Sequence, residues 1–220
     1  EYRDGIRRLW DMNPLPELAD YLAAVRASNA DGTLHYYPGS PAIARFFLRP
    51  NDRMVLLELQ ADECSLLQAR FAGDRQVVVQ RQDGYAGLKA FLPPKERRGL
   101  VLIDPPYESD KEYEQVIEGL RIAHARWDSG MYALWYPIKA RPPIERFHRA
   151  LAATGIRKML LAEFAPYPED SSFRLNGCGM VVVNPPWKLE ETLRRLLPEL
   201  LGVLRQHPAA RMGLSWLVPE

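Results

Sequence analysis

An acid, two prolines and an aromatic ring follow directly on an apolar run: Asp104-Pro105-Pro106-Tyr107 comes after Gly99-Leu100-Val101-Leu102-Ile103. At the exit of a buried strand, that grouping presents a hydrogen-bond acceptor and a flat ring to one planar ligand. An adenine amino group fits it. The exocyclic nitrogen of adenine is a poor nucleophile because its lone pair is delocalised into the ring, and two acceptors on its two N–H bonds would pull that lone pair out of conjugation. Asp104 supplies a carboxylate oxygen. Pro105 supplies a backbone carbonyl, whose direction the prolines preset. Tyr107 is expected to stack on the base, a contact worth roughly 1–3 kcal/mol that offsets part of the cost of extracting it. Asp104 can also take the proton released after methyl transfer. The same tetrapeptide is an ordinary strand stop as well. Asn184-Pro185-Pro186-Trp187, after Met180-Val181-Val182-Val183, repeats the pattern with an amide in place of the acid. Position must decide between the two.

The elements that would position this chemistry alternate along the chain. Apolar runs at Met54 to Leu57, Val77 to Val79, Leu100 to Ile103, Tyr132 to Trp135, Lys158 to Phe164, Met180 to Val183 and Gly213 to Val218 are separated by helical patterns, most clearly at 111–127, 142–153 and 188–204. Strands this apolar predict a mainly parallel sheet with helices on both faces, which binds ligands at the carboxyl ends of its strands. Glu58, Asp83 and Asp104 close three successive strands. Glu58 is placed to hold ribose hydroxyls and Asp83 to accept from the amino group of a cofactor adenine, with Gly84 allowing the ring close to the backbone. Singly, each acid reads equally as a turn former. Ser40 reads as the N-cap of a helix with Pro41 at its first position, serving either as a plain cap or as an anion-binding terminus.

Residues 1 to about 32 carry helical periodicity, punctuated by Asn13-Pro14 and Asp31-Gly32, and predict a helical appendage over 1–35 beside a core over 36–220. Lys139 and Arg141, beyond the strand ending at Tyr136, are candidate contacts to an RNA backbone, whereas Lys95, Arg97 and Arg98 read as a solvated face. Residues 166–177 read as a loop, either closing over substrate or merely mobile.

With 220 residues, 47% hydrophobic content and a net charge of +1, the chain can bury a full core and lacks the uniformly basic coat of many nucleic-acid binders. Arginines outnumber lysines, 23 to 6, which suits bidentate phosphate contacts or reflects codon bias alone. Cys64 and Cys178 and the four histidines form no metal-type spacing, so no metal is expected and a reducing cytoplasm is the favoured compartment. No apolar stretch approaches the roughly 20 residues needed to cross a bilayer.

Tyr36-Tyr37-Pro38-Gly39-Ser40-Pro41, Asp83-Gly84, Leu102-Ile103-Asp104-Pro105-Pro106-Tyr107, Ala133-Leu134-Trp135-Tyr136-Pro137, Ala153-Thr154-Gly155-Ile156-Arg157-Lys158 and Asn184-Pro185-Pro186-Trp187-Lys188-Leu189-Glu190 together resemble the bacterial RlmJ family. Its members use S-adenosylmethionine to methylate N6 of an adenine in large-subunit (23S) ribosomal RNA. The resemblance implies a Rossmann-like class I methyltransferase fold with a small helical insertion. It also implies donor contacts from Ser40, Glu58, Asp83, Gly84 and Asp104, with Asp104 the catalytic acid, and a monomer acting on free 23S RNA. The family opens with a histidine-containing segment and a strand ending in a Gly-rich donor loop. Neither is found ahead of Glu1, so a parent protein longer at its N-terminus is expected. Three other readings stay open: a DNA adenine-N6 methyltransferase, a Rossmann-type oxidoreductase holding a nicotinamide ribose on Glu58, and a non-catalytic RNA-binding remnant.

Overall fold

The computed structural model describes residues 3–12, 15–168 and 175–220. The Asn13-Pro14 punctuation and half of the expected loop at 166–177, residues 169–174, lie outside the described residues. Internal packing divides the chain into two compact units, Glu1–Ala90 and Phe91–Glu220.

In the first unit, α1 (Ile6–Trp10) and α2 (Pro16–Ala27) lead to α3 (Ser40–Phe47), followed by β1 (Met54–Glu58), α4 (Ala61–Arg70), β2 (Val77–Arg81) and α5 (Gly84–Phe91), where the boundary falls. Leu18, Leu22 and Val25 recur at helical spacing, and all three are buried. The turn after α2 is fixed by Asn29. Its amide donates to the carbonyls of Val25 and Tyr36, and its oxygen accepts from the backbone N–H of His35 and of Tyr36. A buried amide satisfied four times is a rigid joint, and it anchors the segment leading to Ser40. β1 and β2 pair in parallel from Met54↔Val77 to Glu58↔Arg81, over a small core of Met54, Phe71 and Val77.

The second unit contains β3 (Leu100–Ile103), α6 (Lys111–Arg126), β4 (Met131–Ile138), α7 (Arg141–Ala152), β5 (Met159–Ala165), β6 (Gly177–Val183), α8 (Leu189–Leu204) and β7 (Arg211–Val218). Its five-stranded sheet runs β3-β4-β6-β5-β7. Only β3 and β4 pair in parallel, because β6 lies antiparallel to both its neighbours and β7 lies antiparallel to β5. The expectation of a mainly parallel sheet is corrected to a mixed one. β4 and β5 do run in the same direction, as the strand-helix-strand rhythm requires, but β6 inserts between them. Apolar content reports burial on both faces, which a covered antiparallel strand such as β6 shares with a parallel one.

β4 is the spine of this unit: Tyr132, Leu134, Tyr136 and Ile138 are all fully buried. Gly179 on β6 makes room for it, since a Cβ there would lie 2.1 Å from the Tyr136 ring. Among the described residues, no helix is long and apolar enough to cross a membrane.

Candidate active site

Asp104 stands just past β3, whose last residue, Ile103, is buried and pairs with Leu134. Asp104 itself is exposed, and among the described residues nothing hydrogen-bonds its carboxylate. Protein packed around the carboxylate nevertheless removes enough water to hold its pKa above the usual aspartate value. An accessible, under-solvated carboxylate suits acceptance of an N–H bond and of a proton.

The turn after Asp104 is clamped at both ends of Tyr107, to β4 and to the residue just past it. This residue adopts φ +52°, a left-handed conformation uncommon for a bulky side chain and found where surrounding structure enforces it. Its carbonyl accepts from Nζ of Lys139 at 2.8 Å, and its hydroxyl donates to the Trp135 carbonyl at 2.7 Å. The Tyr107 ring is 3% exposed and packs against Tyr113 (4.9 Å between centroids) and Trp135 (6.1 Å). The expected free stacking platform is therefore corrected to a core ring that fixes the turn. Clamping Tyr107 also fixes the neighbouring Pro105 carbonyl, because two successive prolines leave little backbone freedom between them.

Lys139 and Arg141, expected on RNA phosphates, are engaged within the protein. Arg141 donates from Nη1 to both Glu163 oxygens, each at 2.9 Å. Glu163 also accepts from the Tyr136 hydroxyl at 2.9 Å, and that hydroxyl lies 2.8 Å from Nε2 of His148. Burial lowers the His148 pKa and, with the Glu163 charge, raises that of Tyr136, so both side chains are neutral near pH 7. This chain of partners staples the end of β4 to α7 and β5. Asn176 adds to the staple, donating from its side chain to the Lys139 carbonyl and from its backbone to that of Ile138.

Sequence reasoning missed Tyr113, Asn176 and Cys178. Cys178 pairs in register with Pro137; burial raises its thiol pKa, and the Asp104 charge adds to that, so it lies within electrostatic reach of the acid. Its only sequence signal was the flanking glycines, which say nothing about where an antiparallel strand will lie.

Asn184, the competing candidate, follows β6, and the antiparallel run of β6 puts Val183 opposite Tyr132 near the start of β4. Asn184 thus sits at the opposite sheet edge from Asp104. Its amide nitrogen is bonded to the carbonyls of Asp128 and Gly130, both at 2.8 Å.

In the first unit, Glu58 ends β1 half-buried, with one oxygen accepting from the Gln60 N–H at 2.7 Å. Among the described residues the other oxygen accepts no hydrogen bond. Asp83 caps α5 through the Tyr85 N–H at 2.9 Å, and a Cβ on Gly84 would meet nothing within 4 Å. Ser40 is the first residue of α3 and Gly39 its N-cap, one residue earlier than predicted, and no side chain caps the helix. Just beyond Glu58, an open cleft of about 390 Å³ is lined by Leu59, Gln60, Ala61, Asp62, Glu63 and Arg81. Acceptors at strand ends beside open space fit the hydroxyl and amino groups of a nucleoside such as that of S-adenosylmethionine.

The chain has an α/β fold of mixed parallel and antiparallel sheets with flanking helices, broadly of the class I methyltransferase type, and it carries an acid-Pro-Pro-aromatic turn at a strand exit. The sequence model of the family described as "Ribosomal RNA large subunit methyltransferase D, RlmJ" matches residues 1–218, and the chain belongs to that family. It is 44% identical to the ribosomal RNA large subunit methyltransferase J of Escherichia coli and 42% identical to that of Haemophilus influenzae, in each case over 100% of this chain and 79% of the relative. A solved structure of a Legionella pneumophila protein superposes with a TM-score of 0.89 at 31% identity, covering 98% of this chain and 80% of that one. A probable spermidine synthase from Corynebacterium glutamicum shares the fold alone, with a TM-score of 0.51 at 15% identity over 91% of this chain and 74% of its own.

Proposed function

We propose that this protein transfers a methyl group from S-adenosylmethionine to N6 of an adenine in 23S ribosomal RNA. The observation that carries the reading is Asp104: accessible, unbonded among the described residues, held above the usual carboxylate pKa, and followed by a clamped Pro-Pro turn. The bound donor supplies an electrophilic sulfonium methyl. Asp104 accepts one N–H of the adenine amino group and the Pro105 carbonyl accepts the other, so that the nitrogen lone pair turns out of the ring and toward the methyl carbon. As the N–C bond forms, the donor's S–CH3 bond would break with its electron pair left on sulfur as a neutral thioether, the amino group becomes cationic, and Asp104 is placed to receive the proton that leaves. Rigid acceptors need no reorganisation during the transfer. Glu58, Asp83, Gly84 and Ser40 hold the donor's nucleoside and carboxylate in this reading, and membership of the RlmJ family supports ribosomal RNA as the acceptor.

Asp104→Ala in the intact protein tests the assignment, with deproteinised 23S RNA and duplex DNA as parallel acceptors. Wild type should methylate the RNA alone, and the variant should lose roughly 100-fold or more in kcat, as removal of an acid–base group does. Undiminished methylation by the variant would exclude Asp104 from the chemistry.

A further inference from the structure

Trp187 is 90% exposed, a far larger open ring than any other tryptophan here. Scattered surface hydrophobics are ordinary and need no function. What sets Trp187 apart is its mounting. Asn184 adopts φ +51° and is tied by its amide to the carbonyls of Asp128 and Gly130, and Pro185 and Pro186 stiffen the path from that anchor to the ring. The Lys188 ammonium lies 5.1 Å from the ring centroid on one face, leaving the other face open.

The surroundings favour an anionic partner. Lys95, Arg97 and Arg98, all exposed, lead into β3 at this same edge, where a Cβ on Gly99 would touch Trp127 just ahead of Asp128. Exposed Glu96, Asp128 and Glu191 are the opposing acids, and Lys158, whose carbonyl accepts from the Asn184 N–H, is paired with Glu220, so outside that pair four cations, Lys188 included, stand against three anions. Asp104 lies across the length of β3, on the order of 15 Å away at a strand's rise per residue.

The geometry points to Trp187 and Lys188 as a second RNA contact, in which an unpaired base several nucleotides from the target, beyond a minimal hairpin, stacks on the indole while the ammonium meets the adjoining phosphate. This rests on the RNA-methyltransferase reading and adds to it a recognition point remote from the chemistry. Such stacking is tolerant of base identity and strong enough to anchor a strand. It selects for RNA that extends past the target adenine.

The test uses the intact protein and two RNAs without proteins: a minimal hairpin around the target adenine and a longer fragment of 23S RNA. Dissociation constants are measured by fluorescence anisotropy, alongside methylation kinetics. Trp187→Ala should weaken binding of the longer fragment and raise its KM about 10-fold, with kcat and the minimal hairpin unaffected, while Trp187→Phe restores most of the loss. Unchanged affinity for the longer fragment overturns the proposal. So does an equal loss on both RNAs, which would mark a structural role. A defect seen only when ribosomal proteins are present would assign the ring to a protein partner and overturn it too. If wild type binds both RNAs and methylates neither, the functional reading fails, while the binding comparison still decides the Trp187 contact.

Discussion

Replacing Lys139 with Met removes the donor that holds the Tyr107 carbonyl and keeps a side chain of similar length. The bond is 2.8 Å and charge-assisted, a class whose loss costs about 1.5–3 kcal/mol. It opposes a left-handed backbone at Tyr107 that costs roughly 1–2 kcal/mol, so without it the Asp104-Pro105-Pro106-Tyr107 turn has reason to relax. At 1.36 kcal/mol per decade, kcat should fall about 10-fold and by no more than about 150-fold. The Tyr107 hydroxyl, still bonded to the Trp135 carbonyl, keeps the loss from being complete. Because this reading puts Lys139 on a carbonyl and not on a phosphate, KM for RNA and its dependence on salt should stay at wild-type values. Methylation rates against RNA concentration, at several salt concentrations, decide the matter. The opposite pattern, an intact kcat with a raised KM and a log–log salt slope reduced by about 0.7–0.9, would assign Lys139 to the RNA backbone and refute its positioning role.

Two further expectations concern the frame around the site. His148 is buried against Tyr136, Glu163, Arg141 and Glu145, and burial holds its pKa below the ordinary imidazole value of about 6.5. As pH drops below that value the unfolded chain takes up a proton that the folded one resists, so stability should fall by up to about 1.4 kcal/mol per pH unit. Urea unfolding should show a shallower loss in His148→Gln, and equal pH slopes would remove His148 as the cause. Gly179→Ala should cost about 3 kcal/mol, the upper end of the range for overpacking, since the added carbon would overlap the Tyr136 ring in a sheet interior. A melting temperature within a degree of wild type would show that the ring can move aside.

Composition and pattern were enough to place most strands and helices within one or two residues. The apolar runs at Met54, Val77 and Leu100 and the periodicity of α6, α7 and α8 are local properties, and local burial shaped them. Asp104 and its prolines stood out for the same reason: the motif's chemistry resides in contiguous residues. What contiguity could not convey was direction and partnership. Asp104-Pro105-Pro106-Tyr107 and Asn184-Pro185-Pro186-Trp187 are near twins in sequence, yet the antiparallel course of β6 sends them to opposite edges of one sheet. Tyr107, read as a surface ring, is instead a core ring because Tyr113 and Trp135 close over it. Lys139 and Arg141, read as candidate contacts to an RNA backbone, also bond a carbonyl and a buried carboxylate supplied by residues far along the chain. The sequence by itself determined which groups can do chemistry, because residue type sets what each can donate or accept. Tertiary structure alone decided which of them meet and which remain open to a substrate, because long-range pairing leaves no mark on the spacing of the residues it joins.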